Sequence, residues 1–160
     1  MDAFAAVEPH FRDLAPAADS CSLRLVRERS EEIAVRQDVV QPVCTGDDLG
    51  AMVTVGRDGG LGYAATSDLS PAGLREALDR AGRWAAATAR AASVDFRKVA
   101  HPAPVGDYAG PVARPWEGTP LADRIDLCRA ECARLKVDDR IVDWSASLSW
   151  KGVDQLFLTA

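Results

Sequence analysis

The chain has 160 residues, 48% of them apolar and 27% charged, with a net charge of −5. That balance describes a globular chain rather than a disordered one. It also argues against a general nucleic-acid binder, which needs clustered Lys and Arg to neutralise phosphates.

No apolar run approaches the roughly 20 residues that cross a bilayer. The N-terminus carries Asp2 and Glu8 where a secretory leader would be basic. Cys21, Cys44, Cys128 and Cys132 are therefore expected to be reduced thiols, and the expected location is cytoplasmic, without membrane contact.

In chain order, Phe4, Val7, Phe11 and Leu14 recur at helical intervals, so residues 2–15 are expected to form an amphipathic helix ended by Pro16. Two short β-rich runs follow, SLRLVRE and EIAVRQDVV, expected to join near Ser30. In the second, Ile33, Val35, Gln37 and Val39 share one side. The mixed charges of residues 24–32 read as a solvated strand pair and not as a basic patch. Residues 51–56 and 61–66 form two more β-prone runs around Arg57-Asp58-Gly59-Gly60. Asp-Gly between such runs signals a hairpin, because both central turn residues need positive φ.

The next stretch is helical. Ser70 suits the N-cap, Pro71 the first helical position, and Leu74, Leu78, Ala81, Ala85 and Thr88 trace one stripe. Residues 94–120 are rich in proline and glycine and are expected to be an extended surface connector, held to the body by Tyr108 and Trp116. A third helix is expected at about 121–136 and two closing strands at 140–150 and 152–160. Val142, Trp144, Ala146, Leu148 and Trp150 alternate there with Asp143, Ser145, Ser147 and Ser149. Strands joined by short turns pair antiparallel, so the expected class is α+β: one domain over 1–160, with strand hairpins packed against two or three helices.

Several stretches invite a chemical reading. Gly60-x-Gly62-x-x-Ala65 nearly matches a dinucleotide fingerprint, but the glycines sit in a hairpin and the helix starts only at Ser70. Gly59 and Gly60 are read as turn residues, Gly62 as a point of close packing. Cys128-x-x-x-Cys132 looks like half a metal site. Yet Leu121, Ile125, Cys128, Cys132 and Leu135 lie on one helical stripe, which favours core packing. Zinc would want two further ligands, and only Cys21, Cys44, His10 and His101 remain, all isolated. Neither histidine precedes a glutamate, and Ser145, Ser147 and Ser149 lack an identifiable base. Asp47-Asp48 and Asp138-Asp139 read as turn acids. No catalytic, cofactor-binding or metal-ligating residue is assigned.

Residues 46–85, GDDLGAMVTVGRDGGLGYAATSDLSPAGLREALDRAGRWA, resemble the N-terminal region of the TldD/PmbA family, once called modulators of DNA gyrase. The matching positions are Gly50, Asp58, Gly59, Gly62, Tyr63, Ala64, Thr66, Asp68, Leu69, Ser70, Leu74, Ala77 and Ala81. Many members carry an Arg in the strand where this chain reads AMVTV. The resemblance implies a zinc-dependent peptidase (a metallopeptidase, hence a hydrolase) acting on peptides or unfolded segments in the cytoplasm. It also implies a dimer, homodimeric or with a related subunit, around an enclosed cavity. In that family the zinc ligands lie in a C-terminal half, so the chain is expected to be the N-terminal domain of a longer protein. There zinc would polarise the scissile carbonyl and activate water. The alternative is a stand-alone, non-catalytic binding or assembly module that offers the strand ending at Ala160 as an open edge.

Overall fold

A computed structural model describes residues 3–91, 93–100 and 105–160. The elements in order are α1 (Ala3–Leu14), β1 (Ser20–Arg36), β2 (Val39–Val40), β3 (Cys44–Arg57), β4 (Gly60–Thr66), α2 (Pro71–Ala89), α3 (Leu121–Leu135) and β5 (Ser145–Thr159). Single 3-10 turns occur at Phe96–Lys98 and Trp116–Gly118. The strands are ordered β2-β1-β3-β4, with β5 also paired to β1. The class is α+β.

Three boundaries differ from the sequence reading. Residues 20–36 are one strand, not two joined near Ser30. The charged run does not break it: between buried Leu25 and Ile33 its residues are half-buried or exposed on both faces, and the strand continues through them. β3 begins at Cys44, well before residue 51. Residues 145–159 are likewise one strand that passes through Gly152, where a Cβ would stand 2.6 Å from the Trp150 ring. Glycine there gives room to the indole instead of ending the strand. Residues 140–144 fall outside it, and Val142 is exposed.

The chain divides into two compact units. The first comprises Met1–Arg27, Asp48–Gly106 and Asp154–Ala160, the second Glu28–Asp47 and Asp107–Val153.

The first unit holds the larger core. Leu23 and Leu25 of β1, Val53 and Val55 of β3, Val7 and Phe11 of α1, and Leu74 and Ala81 of α2 are almost wholly buried. The β3–β4 hairpin runs antiparallel from Ala51↔Thr66 to Arg57↔Gly60. Its two-residue turn uses Asp58 at φ 52° and Gly59 at φ 80°, the doubly positive geometry that Asp-Gly favours. Gly60 therefore belongs to the ladder and not to the turn. α2 starts as its sequence directs: the Ser70 hydroxyl accepts from Gly73 N at 3.2 Å, with Pro71 in the first turn. Near its end Thr88 Oγ1 accepts from Leu61 N at 3.0 Å and donates to Leu61 O at 2.8 Å, so the helix closes on β4.

The second unit is built on Ile33, Val35, Cys128 and Cys132, against which Trp116, Ile125, Trp144 and Leu148 pack. Only part of the expected α3 stripe is inside, since Leu121 and Leu135 are exposed. The connector also divides: Trp116 packs on this core while Tyr108 is 91% exposed. β1 turns into β2 through Gln37 at φ 50° and Asp38 at φ 63°, so Gln37 and Val39 do not continue the strand's buried side.

Candidate functional site

The residues that carry the family resemblance gather in the first unit, where most have a structural task. Asp58 and Gly59 make the turn. A Cβ on Gly62 would run into the Ala81 carbonyl oxygen and the Ala85 amide nitrogen, so only glycine lets α2 lie this close to β4. Thr66 Oγ1 accepts from Asp68 N at 3.1 Å, and Asp68 Oδ1 accepts from Ser70 N at 3.0 Å. These two bonds fold the chain from strand to helix cap. The Ser70 contact holds the Asp68 carboxyl below its usual range. Leu74, Ala77 and Ala81 are buried.

Tyr63 is the exception, because its side chain is 68% exposed. It pairs with Thr54, and Met52 pairs with Ala65. Successive strand residues point to opposite faces. Since Gly62 faces α2, Tyr63, Met52, Thr54 and Ala65 face the other way. On that face lies an open groove of about 570 Å³, lined by Arg24, Val26, Met52, Ala65, Thr66 and Ser67 among others. Arg24 Nη2 donates to Gln155 Oε1 at 3.0 Å along its rim. This face is the candidate functional surface. Sequence reasoning did not single it out, although the alternation of Ala51-Met52-Val53-Thr54-Val55 was the available signal.

The second unit contains the cysteine pair. Cys128 Sγ donates to Ile33 O at 3.9 Å and Cys132 Sγ to Val35 O at 3.4 Å. Both thiols are thus turned onto β1, and burial pushes the Cys128 thiol up, helped by Cys132 beside it. Both Sγ atoms face backbone carbonyls, and among the described residues no third zinc donor joins them. Cys21 is buried in the other unit and pushed up to about 11 by desolvation. Cys44 is exposed. Among the described residues no three His, Cys, Asp or Glu side chains come together. The described residues therefore do not fit a zinc centre.

His10 lies half-buried in α1, and its Nδ1 has no hydrogen-bond partner among the described residues. His101 falls outside the described residues. Ser145, Ser147 and Ser149 are exposed along β5. Asp138 accepts from Arg140 in a turn, as read from sequence.

Beside the thiols lies an aromatic stack. The Trp116 and Trp150 rings are 6.0 Å apart and nearly parallel. The Arg124 guanidinium covers Trp116 at 4.4 Å and pairs with Glu31 at 2.6 Å.

These features define an α+β domain organised by a glycine-fitted hairpin–helix unit, with one open sheet face and no assembled catalytic group among the described residues. Residues 21–88 match the family model described as PmbA/TldA metallopeptidase domain 1. The matched region, residues 21–88, is an N-terminal domain of the TldD/PmbA family.

Solved structures share the fold. A protein described as a modulator of DNA gyrase from Bacteroides thetaiotaomicron aligns over 98% of this chain and 36% of its own, at 16% identity and TM-score 0.67. TldE from Thermococcus kodakarensis aligns over 97% of this chain and 36% of its own, at 19% identity and TM-score 0.63. A second modulator of a DNA gyrase, from Thermotoga maritima, gives 88% and 31%, at 12% identity and TM-score 0.63. The chain thus spans about a third of the length of these structures. No curated protein matches it. No helix among the described residues is long and apolar enough to cross a membrane.

Proposed function

We propose that this chain is the scaffold and cavity-wall domain of a TldD/PmbA-type zinc peptidase acting on peptides or unfolded segments in the cytoplasm. The observation that carries the reading is the match of residues 21–88 to domain 1 of that metallopeptidase family. The open sheet face supports it. Tyr63 belongs to the resemblance yet is largely exposed, and the same sheet face carries an open groove of about 570 Å³, a volume that suits side chains of a bound peptide. Hydrolysis and the zinc that drives it belong outside residues 1–160. The working form is a dimer, with itself or with a related subunit.

The test compares two samples under one peptide-cleavage assay. The 160-residue chain alone should neither cut peptides nor retain equimolar zinc after dialysis. The longest protein expressed from the same reading frame should cut them and lose that ability to a chelator. Chelator-sensitive cleavage by the short chain would refute the division of labour. Failure of the long form to cut, with intact peptide binding, would favour the non-catalytic binding module.

A further inference from the structure

In the first unit, the end of α1, the end of β3 and one side of α2 enclose a groove of about 320 Å³. Leu14, Pro16 and Leu78 give it an apolar floor. Arg57, Arg75 and Arg83 stand around it. Asp79 is the acid among the lining residues. Arg75 and Arg83 flank it at helical i±4 spacing, yet neither forms an ion pair with it. Among the described residues none of these four charged groups has a hydrogen-bond or ion-pair partner. Several other arginines are engaged, among them Arg12 by Glu8, Arg36 by Asp143, Arg97 by Asp95 and Arg124 by Glu31. Three unengaged guanidinium groups around one groove are a local excess of positive charge in a chain of net charge −5.

Gly82 is an independent pointer to the same place. Mid-helix glycine is unfavourable, and the other packed glycines of this unit have reasons: Gly60 and Gly62 face the α2 backbone, and Gly73 faces Asp68. A Cβ on Gly82 would meet nothing within 4 Å. Nothing in the described fold requires glycine there, and it leaves bare backbone open to the groove.

We propose that this groove docks an acidic peptide segment of a partner protein. An apolar side chain of that segment seats on Leu14, Pro16 and Leu78. Its flanking carboxylates take up Arg57, Arg75 and Arg83, whose planar forks match carboxylate geometry. The apolar floor of Leu14, Pro16 and Leu78, with Asp79 among the arginines, favours a peptide over a nucleic-acid backbone. The proposal stands apart from the peptidase reading, since it concerns the opposite side of the sheet.

Fluorescence polarisation on the whole chain tests it, with labelled Glu-Glu-Leu-Glu-Glu and Gln-Gln-Leu-Gln-Gln peptides and a single-stranded oligonucleotide as probes. The Glu peptide should bind and the Gln peptide should not. Affinity should fall about tenfold in Arg83→Ala and between about 50 and about 500 mM salt. A Cβ at Gly82 meets nothing within 4 Å, so Gly82→Leu should keep or raise the Tm while its side chain occupies the groove and binding is lost. Equal binding of the two peptides, no binding of either, unchanged affinity in Gly82→Leu, or tighter binding of the oligonucleotide would each overturn the proposal.

Discussion

Gly62 on β4 and Ala81 on α2 meet backbone to backbone: the hydrogen on the Gly62 Cα is all that fits beneath the Ala81 carbonyl. Gly60 makes the same kind of contact two residues along the ladder, against Ala85 and Ala89. The small residues of α2 and the glycines of β4 are thus two halves of one close interface. Gly62→Ala should therefore cost about 2 kcal/mol, as overpacking does. Gly82→Ala, on the same helix but in open space, should instead add up to about 1 kcal/mol. Urea unfolding of the pair checks both signs. A Gly62→Ala variant as stable as the parent would mean that α2 lies further from the sheet.

The hairpin–helix unit was legible because its signals are local. Asp58-Gly59 demands a turn, Ser70-Pro71 demands a helix start, and the alanine stripe follows the helical period. The lengths of β1 and β5 were not legible, because charge runs and glycine also mark loops. Ser30 lies in the strand beside Gly46, whose Cβ would stand 2.8 Å from Ser30 Oγ, and Gly152 stays in its strand to leave room for the Trp150 indole two residues before it. The open sheet face is a further step removed, since it depends on which side of β3 and β4 the helix covers. The arginine groove unites residues from three elements, which no single stretch of sequence displays.

The turn between β1 and β2 carries two non-glycine residues at positive φ, Gln37 at 50° and Asp38 at 63°. Gln37 is compensated: its backbone N–H donates to Trp144 O at 3.0 Å and its side chain to Val142 O at 2.8 Å. Asp38 tolerates the left-handed region better than most residues but gains nothing over glycine there. Asp38→Gly should be neutral or stabilising by up to about 1 kcal/mol, and Asp38→Val should cost about 1–2 kcal/mol. Thermal unfolding of the two variants is the measurement. Equal Tm values would show that the turn relaxes out of this geometry.

Acid should weaken the fold through a defined set of carboxylates. Arg97 holds the Asp95 carboxyl down to about 2, from an ordinary 3.8. Ser70, Arg140 and Arg36 hold those of Asp68, Asp138 and Asp143 below the same ordinary value. A group whose folded pKa is depressed contributes stability above its unfolded pKa and loses it as pH falls through the folded one. For Asp95 the loss runs from about pH 3.8 to about pH 2. These sites are solvent-exposed, so each contribution is small and weakens with salt. The Tm should fall across that window, and Asp95→Asn should lower it above the window and converge with the parent below it. A constant offset at every pH would mean that the Asp95 charge is not what matters.

The thiols give a direct reading of how the second unit is held. Cys44 is exposed, whereas Cys21, Cys128 and Cys132 are buried. Burial also keeps Cys21 and Cys128 protonated, and protonated thiols are poor nucleophiles. An aromatic disulfide reagent should therefore find one fast thiol in the native chain and four in denaturant. Cys44→Ser should abolish the fast phase and leave the rest. Cys132→Ala should cost about 1–2 kcal/mol, for lost packing and for the Val35 carbonyl it leaves bare. A fast phase that survives in Cys44→Ser would show that α3 lifts from β1 on the timescale of the reagent, and that the bed of Ile33, Val35 and the two thiols is a hinge rather than a core.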